Sequence, residues 1–278
     1  MQALGRPSPA AAVEPPLRTA GEPSSAAYRA EGGGTGEFRL RAATVAGVGH
    51  RLSAEVNQDS YAWAHEGSRL AVAVADGLGS VPGSGAAARL AASTAVAAAL
   101  DPSRAAPAEA AHAAVSAAGA ALAGSGGGAT TLVLAIIERA DGDAGAALAR
   151  IGDSTAFLVP SGPDGPVWQE LFDPPAGGDE EVGVATPALS GGSPATPAGE
   201  EGPPVETATL ALSDGDVLAL VTDGIAGPWR DGPTTVAPAM VDGLRARPSA
   251  LELAQLADFS RQGCHDDRTM VVVWLAGA

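Results

Sequence analysis

Apolar residues recur along the chain in two rhythms, and the switches between them outline a fold. From Phe38, "FRLRAATVAGVG" alternates as a half-buried strand does, "DSYAW" continues as a second strand, and "RLAVAVADG" reads as a buried third. Residues 83–100 ("GSGAAARLAASTAVAAAL") are Ala-rich with apolar positions at helical spacing. Residues 107–124 repeat that pattern with Pro near the start and Gly at the end. Two antiparallel helices in close contact are predicted. "GGGATTLVLAIIE", "GAALARIGD" and "STAFLVP" return to strand, their short lengths and β-branched content deciding against buried helix. "ETATLALSDGDVLALVTDG" supplies two strands joined at "SDGD", "TTVAPAMVDGLRARP" and "SALELAQLADFSRQG" a second helical pair, and "TMVVVWL" a closing strand. This order predicts an α+β fold of stacked antiparallel sheets with helices outside.

Two segments break the rhythm. Residues 1–36 combine Ala, Pro, Gly, Ser and charge with no apolar period, so a disordered N-terminal tail is expected there, with 37–278 as one domain. Residues 160–204 loosen into a Pro-, Gly- and Glu-rich stretch; irregular segments this long are functional or disordered.

Charge and cysteine content narrow the function classes. The 278 residues carry a net charge of −16, from 32 acidic against 16 basic residues, all of them Arg. Such an acidic chain is a poor partner for nucleic acid or an anionic membrane. The single cysteine, Cys264, excludes an internal disulfide and a cysteine zinc cage, and reads as a half-buried thiol. No uninterrupted apolar run approaches the roughly 18 residues of a spanning helix. The N-terminus lacks a basic start followed by an apolar run, so a cytoplasmic location is the expectation.

The aspartates carry the chemistry. Any one Asp-Gly is most simply a turn. In "AVAVADG" and "LALVTDG", however, the Asp ends an apolar strand, whereas Asp266 precedes one. Neighbouring antiparallel strands run in opposite directions, so Asp76, Asp223 and Asp266 can meet on one rim of a sheet. Carboxylates so placed raise one another's pKa unless cations compensate. Oxygen-only ligands select hard ions such as Mg²⁺ or Mn²⁺. A carboxylate bridging two such ions can hold a low-pKa water for attack on phosphorus, which points to phosphoester hydrolysis.

In sequence order, "NQDSY", "VADGLGS", "GATTLVL", "IGDSTAFL", "GDVLALVTDGI" and "DDRTMVVV" resemble the motifs of the metal-dependent protein serine/threonine phosphatases, the type 2C family, particularly its compact bacterial members. The resemblance extends over roughly residues 44–275. The resemblance implies a four-layer α-β-β-α sandwich, two stacked antiparallel sheets flanked by pairs of antiparallel helices, with a two-metal site at one end. Asp76 matches the bridging aspartate, and the Gly77 carbonyl would be a further ligand. Asp223 and Asp266 match the aspartates that complete the first ion's shell. Asp266 is preferred to Asp267 because the family's Asp-Asn-x-Thr pattern places Thr269 three residues later. Asp59 matches an acid contacting metal-bound water, and Asp153 the aspartate some members use for a third, weaker ion. The implied activity is hydrolysis of phosphoserine and phosphothreonine in proteins phosphorylated by a serine/threonine kinase, with two Mn²⁺ or Mg²⁺ ions and an attacking water or hydroxide between them. Residues 160–204 occupy the place of the family's flap, and their acids disfavour strongly acidic substrates.

The chain departs from the family pattern at three places. Gln58 stands where Glu is usual, which removes a charge from the outer shell while keeping a hydrogen-bonding group. Ala54 holds the place of the phosphate-binding Arg, leaving Arg51 or His50 to reach the phosphate from a shifted loop; Arg51 is taken as the candidate. Leu78 stands where some members have a His that serves as an acid. These departures support an alternative, a catalytically weak phosphatase-like regulatory or binding module. A structural Ca²⁺ site in an adhesion-type sandwich ranks last, for no EF-hand pattern is present. His65 and His112 read as packing or exposed residues, and residues 79–88 lack the Lys of a phosphate loop.

Overall fold

The computed structural model describes residues 20–21, 28–53, 55–79, 81–101, 103, 106–140, 143–162, 167–174, 187–191, 204–230, 236–259, 261 and 263–275. The chain opens with β1 (Ala20–Gly21), β2 (Tyr28–Gly34), β3 (Phe38–Val45), the short helix α1 (Val48–Ser53), β4 (Ser60–Glu66) and β5 (Arg69–Ala75). Helices α2 (Ser84–Ala99) and α3 (Pro107–Ala123) follow, then β6 (Ala129–Thr130), β7 (Leu132–Ala140), β8 (Asp143–Ile151) and β9 (Thr155–Val159). After β10 (Gln169–Glu170) and β11 (Leu189–Ser190) come β12 (Glu206–Leu212), β13 (Val217–Val221), α4 (Asp223–Arg230), α5 (Val236–Arg245), α6 (Ala250–Ala257) and β14 (Arg268–Leu275).

The strands form two six-stranded sheets, ordered β1-β4-β5-β7-β8-β12 and β10-β9-β13-β14-β3-β2, with a small pair β11-β6 beside them. Period-two alternation assigns each residue to a layer. On β5, Leu70, Val72 and Val74 enter the core between the sheets, while Ala71, Ala73 and Ala75 face α2 and α3. Small residues on both sides of that outer interface let the helices lie close to the sheet. On β14, Val271, Val273 and Leu275 fill the central core, and Met270, Val272 and Trp274 meet α4, α5 and α6. Three apolar layers thus separate four structural ones, giving the α-β-β-α sandwich. No helix among the described residues is long and apolar enough to cross a membrane.

The opening of the chain needs a correction. Tyr28–Gly34 lies inside the expected disordered tail but pairs with β3 over seven residues. The glycines there deprive the stretch of an apolar period, yet its backbone caps an otherwise open sheet edge, and the Trp63 indole N–H donates to Glu31 Oε1 (3.2 Å). The rest of residues 1–36, apart from 20–21 and the turn before β3, lies outside the described residues. So does most of the flap-like stretch 160–204, whose described parts contain β10, paired with β9, and β11, paired with β6. Helices α1 and α4 were not anticipated from the apolar pattern.

Candidate metal centre

Both sheets contribute to one acidic rim. Asp76 follows β5, Asp153 lies on the crossover from β8 in one sheet to β9 in the other, Asp223 opens α4 directly after β13, and Asp266 precedes β14. Neighbouring strand ends of one sheet therefore account for Asp223 beside Asp266, but Asp76 reaches them from across the sandwich. Asp76, Asp153 and Asp223 each present a carboxylate oxygen within 4.8 Å of the others. At about 5 Å and an effective dielectric of about 20, each ionised pair costs roughly 3 kcal/mol.

The backbone around Asp76 is clamped. Its N–H donates to Thr131 Oγ1 (3.2 Å), and its carbonyl accepts from the Thr131 N–H (2.9 Å) and Thr130 Oγ1 (2.7 Å). Thr131 Oγ1 also shares a 2.7 Å hydrogen bond with Ser154 Oγ, next to Asp153. At Gly77 a Cβ would come within 2.7 to 2.8 Å of the backbones of Ser84 and Gln58, so only glycine brings the start of α2 and the Gln58 strand lead this close to Asp76. Gly152, at φ +95°, makes the turn that carries Asp153 between the sheets.

Behind the rim lies a threonine relay that the sequence pattern did not single out. Asp59, 1% exposed, accepts from Thr222 Oγ1 at 2.8 Å, and Thr222 Oγ1 accepts the Thr269 N–H at 3.0 Å. Thr269 and Thr44 share a 2.6 Å hydroxyl contact, Asn57 Nδ2 donates to Thr44 Oγ1, and Asn57 Oδ1 accepts the Asp59 N–H. Polar residues at the ends of buried strands, as in "LVTDG" and "VNQD", were the available signal.

Burial and mutual repulsion push these carboxyls upward. Asp59 and Asp76 lie well above the carboxylate range, first through desolvation, then through Asp267 and Asp266 for Asp59, and through Asp59 and Asp223 for Asp76. Asp223 is pushed up to about 7 by burial and by Asp266 and Asp153, and its Oδ1 is buried without a hydrogen-bond partner among the described residues. Asp266, more exposed, is raised chiefly by desolvation. Oxygen donors from two sheets, an orphaned buried Oδ1 and unfavourable crowding of negative charge are what a hard divalent cation relieves. The residues present fit such an ion.

Asp266 and Asp267 divide their work. Asp267 is 2% exposed and fully engaged: Oδ1 accepts the Gly47 N–H (2.7 Å), and Oδ2 accepts the Gln58 N–H (2.7 Å) and faces His50 Nδ1 (2.9 Å). Asp266 lies at the surface beside it. The half-buried Gln58 stands next to Gly77, its Oε1 buried and without a hydrogen-bond partner among the described residues. Arg51 does not join the rim. Its guanidinium bonds the Tyr28 hydroxyl, pairs with Asp258 at 3.3 Å and stacks on the Tyr28 ring, because α1 turns it outward toward β2 and the end of α6. Ala54 lies outside the described residues.

Comparison with curated proteins returned no match. Among solved structures, the fold is similar to RsbX in complex with magnesium, at 16% identity and TM-score 0.56 over 89% of this chain and 100% of that one. It is also similar to the catalytic domain of the serine/threonine protein phosphatase PstP in complex with two manganese ions, at 22% identity and TM-score 0.59 over 87% and 99%. The S. agalactiae serine/threonine phosphatase aligns at 14% identity and TM-score 0.60 over 85% and 99%. At these identities the likeness is one of fold. The family itself is given by the sequence: the protein phosphatase 2C profile matches residues 46–259, well over half of the chain, and the chain belongs to that family.

Proposed function

We propose that this chain is a Mg²⁺- or Mn²⁺-dependent protein phosphatase that hydrolyses phosphoserine and phosphothreonine. The convergence of Asp76, Asp153 and Asp223 from two sheets, with Asp76 and Asp223 driven toward protonation, carries this reading. Asp76, the Gly77 carbonyl, Asp223 and Asp266 would hold two ions, and Asp153 a third, weaker one. Ions bound there neutralise the carboxylates and supply a low-pKa water for attack on phosphorus. Asp59, held by Thr222, would accept a hydrogen bond from such a water, and the Gln58 amide would orient a second. The hydrogen bonds around Asp76 and the threonine relay hold the acids rigidly, so little reorganisation accompanies the reaction.

Manganese-dependent hydrolysis of p-nitrophenyl phosphate and a phosphothreonine peptide, abolished by EDTA and by Asp76→Asn, is the expected result. Turnover that persists in EDTA overturns the reading. The outward pairing of Arg51 favours a second reading, a phosphatase-like binding module. Calorimetric Mn²⁺ binding without turnover on either substrate would select it.

A further inference from the structure

In a chain with 32 acidic residues against 16 basic ones, an arginine near carboxylates is expected to pair with one. Arg139 pairs with Asp214 in this way, Arg150 with Glu206 and Arg230 with Glu170. Arg89, half-buried on α2, does not. Among the described residues its guanidinium has no hydrogen-bond or ion-pair partner.

The surroundings of Arg89 belong to the rim. Helical side chains lean back toward the N-terminus, and Gly85, one turn earlier, leaves the space for this one. A Cβ on Gly85 would stand 3.7 Å from Arg89 Nη1, 3.3 Å from the Gln58 Cα and 3.6 Å from the Asn57 carbonyl oxygen. The guanidinium therefore lies beside the two residues that lead into Asp59. Gln58 in turn packs on the residue after Asp76, its carbonyl 2.8 Å from where a Gly77 Cβ would be, and the first residue of α2, Ser84, meets Gly77 as closely. Helix α2 adds to the local polarity: its 16 residues carry no acid in the first turn and Gly83 provides no side-chain cap, so the positive end of the dipole falls on the same place.

Gln58 explains the missing partner. A Glu at that position, as in the family pattern, would set a carboxylate within reach of the guanidinium; Gln keeps the length and removes the charge. The planar fork of N–H donors that remains matches the oxygens of a phosphate group. We propose that Arg89, left unpaired by Gln58, binds the phosphoryl group of the substrate. Ala54 offers no cation for that task, and Arg51 is turned away to Tyr28 and Asp258. The assignment rests on the phosphatase reading above, and it makes Gln58 and Ala54 two parts of one rearrangement rather than two separate losses.

Inorganic phosphate, titrated calorimetrically into the full chain saturated with Mg²⁺, tests the assignment without turnover. Arg89→Met, which keeps helix propensity and side-chain bulk, should weaken phosphate binding by about tenfold or more, the scale of a hydrogen bond to a charged group, while Mg²⁺ affinity stays within about threefold of wild type. Arg89→Lys keeps the charge but not the fork and should fall between the two. Arg51→Met removes a charge of the same sign that faces outward, and should change phosphate affinity by less than about twofold. In steady state, KM for p-nitrophenyl phosphate and for a phosphothreonine peptide should rise in Arg89→Met by the factor found for phosphate. Unchanged phosphate affinity in Arg89→Met, an equal loss in Arg51→Met, or a loss matched by that of Mg²⁺ affinity overturns the assignment and leaves the phosphatase reading intact. A wild-type protein that binds Mg²⁺ and phosphate yet hydrolyses neither substrate overturns the phosphatase reading instead, and Arg89 then remains as the phosphate ligand of a binding module.

Discussion

At Asp223 opposing influences meet. Its place in the first turn of α4 and a hydrogen bond from the Gly224 N–H favour the charged form, yet burial, Asp266 and Asp153 prevail and move its pKa from 3.8 to about 7. The sign of the consequence is fixed by linkage. A raised acid costs the metal-free fold nothing below pH 4, where both states are protonated. The cost grows as pH rises and is complete above 7, where both are ionised. In EDTA, Asp223→Asn should therefore melt higher than wild type above pH 7 and lose that advantage toward pH 4. With Mn²⁺ the order should reverse, because wild type gains a ligand the variant lacks; thermal melts across that range with and without metal check both halves. A second residue-scale test concerns Asp59. Thr222→Val removes both the donor to Asp59 and the acceptor of the Thr269 N–H, two buried groups, and should cost about 2 to 4 kcal/mol in chemical denaturation. That Asp76, Asp223 and Asp266 would gather on one rim was legible because each adjoins an end of an apolar strand, whereas Asp59 was legible only through the family resemblance. The role of Asp267 was not legible: two adjacent aspartates look alike in a pattern, and only the Gly47 and Gln58 N–H donors and the His50 ring, distant in sequence, separate the buried one from the exposed one.

Elements were legible in proportion to their length and regularity. The paired helices α2 and α3 follow apolar periods of several turns, whereas the strands β7 to β9 were separated from buried helix by their short lengths and β-branched content. The sequences "VGHRLS" and "DGIAGPWR" of α1 and α4 have no such period. The first is one and a half turns long, and the second contains glycines and Pro228, so each reads as a turn and is helical only because the rim packs it. Gly224 illustrates the constraint, since a Cβ there would collide with the Asp267 carbonyl. β2 escaped notice for a related reason: its three glycines hide a strand that edge pairing alone specifies. The junction of β5 and α2 gives a test at this scale. Gly77→Ala must displace the backbones of Ser84 or Gln58, neither of which is a flexible tip. Mn²⁺ affinity should fall at least tenfold by calorimetry, while far-UV circular dichroism, dominated by elements remote from the rim, stays close to wild type.

Over the whole molecule, a sandwich closed by apolar layers is combined with a net charge of −16. Folding places several of those charges at one rim, where Asp76, Asp153, Asp223 and Asp266 lie. Bound cations cancel part of that field locally, but the rest of the acidic surface still acts on an approaching substrate over about 10 Å at moderate salt. A phosphopeptide brings negative charge of its own, so flanking residues decide whether encounter is opposed or assisted. Phosphothreonine peptides with Arg or Lys on both sides should have kcat/KM about tenfold or more above peptides flanked by Asp or Glu at low ionic strength, the scale on which charged surfaces alter association rates. Because the preference arises from the long-range field, it should shrink to about twofold in 0.5 M NaCl, where screening confines charges to a few Å. A preference that survives high salt would instead locate specificity in direct contacts at the rim. Steady-state kinetics of the two peptides across a salt series, at constant saturating Mn²⁺, separates the field of the molecule from the chemistry of its site.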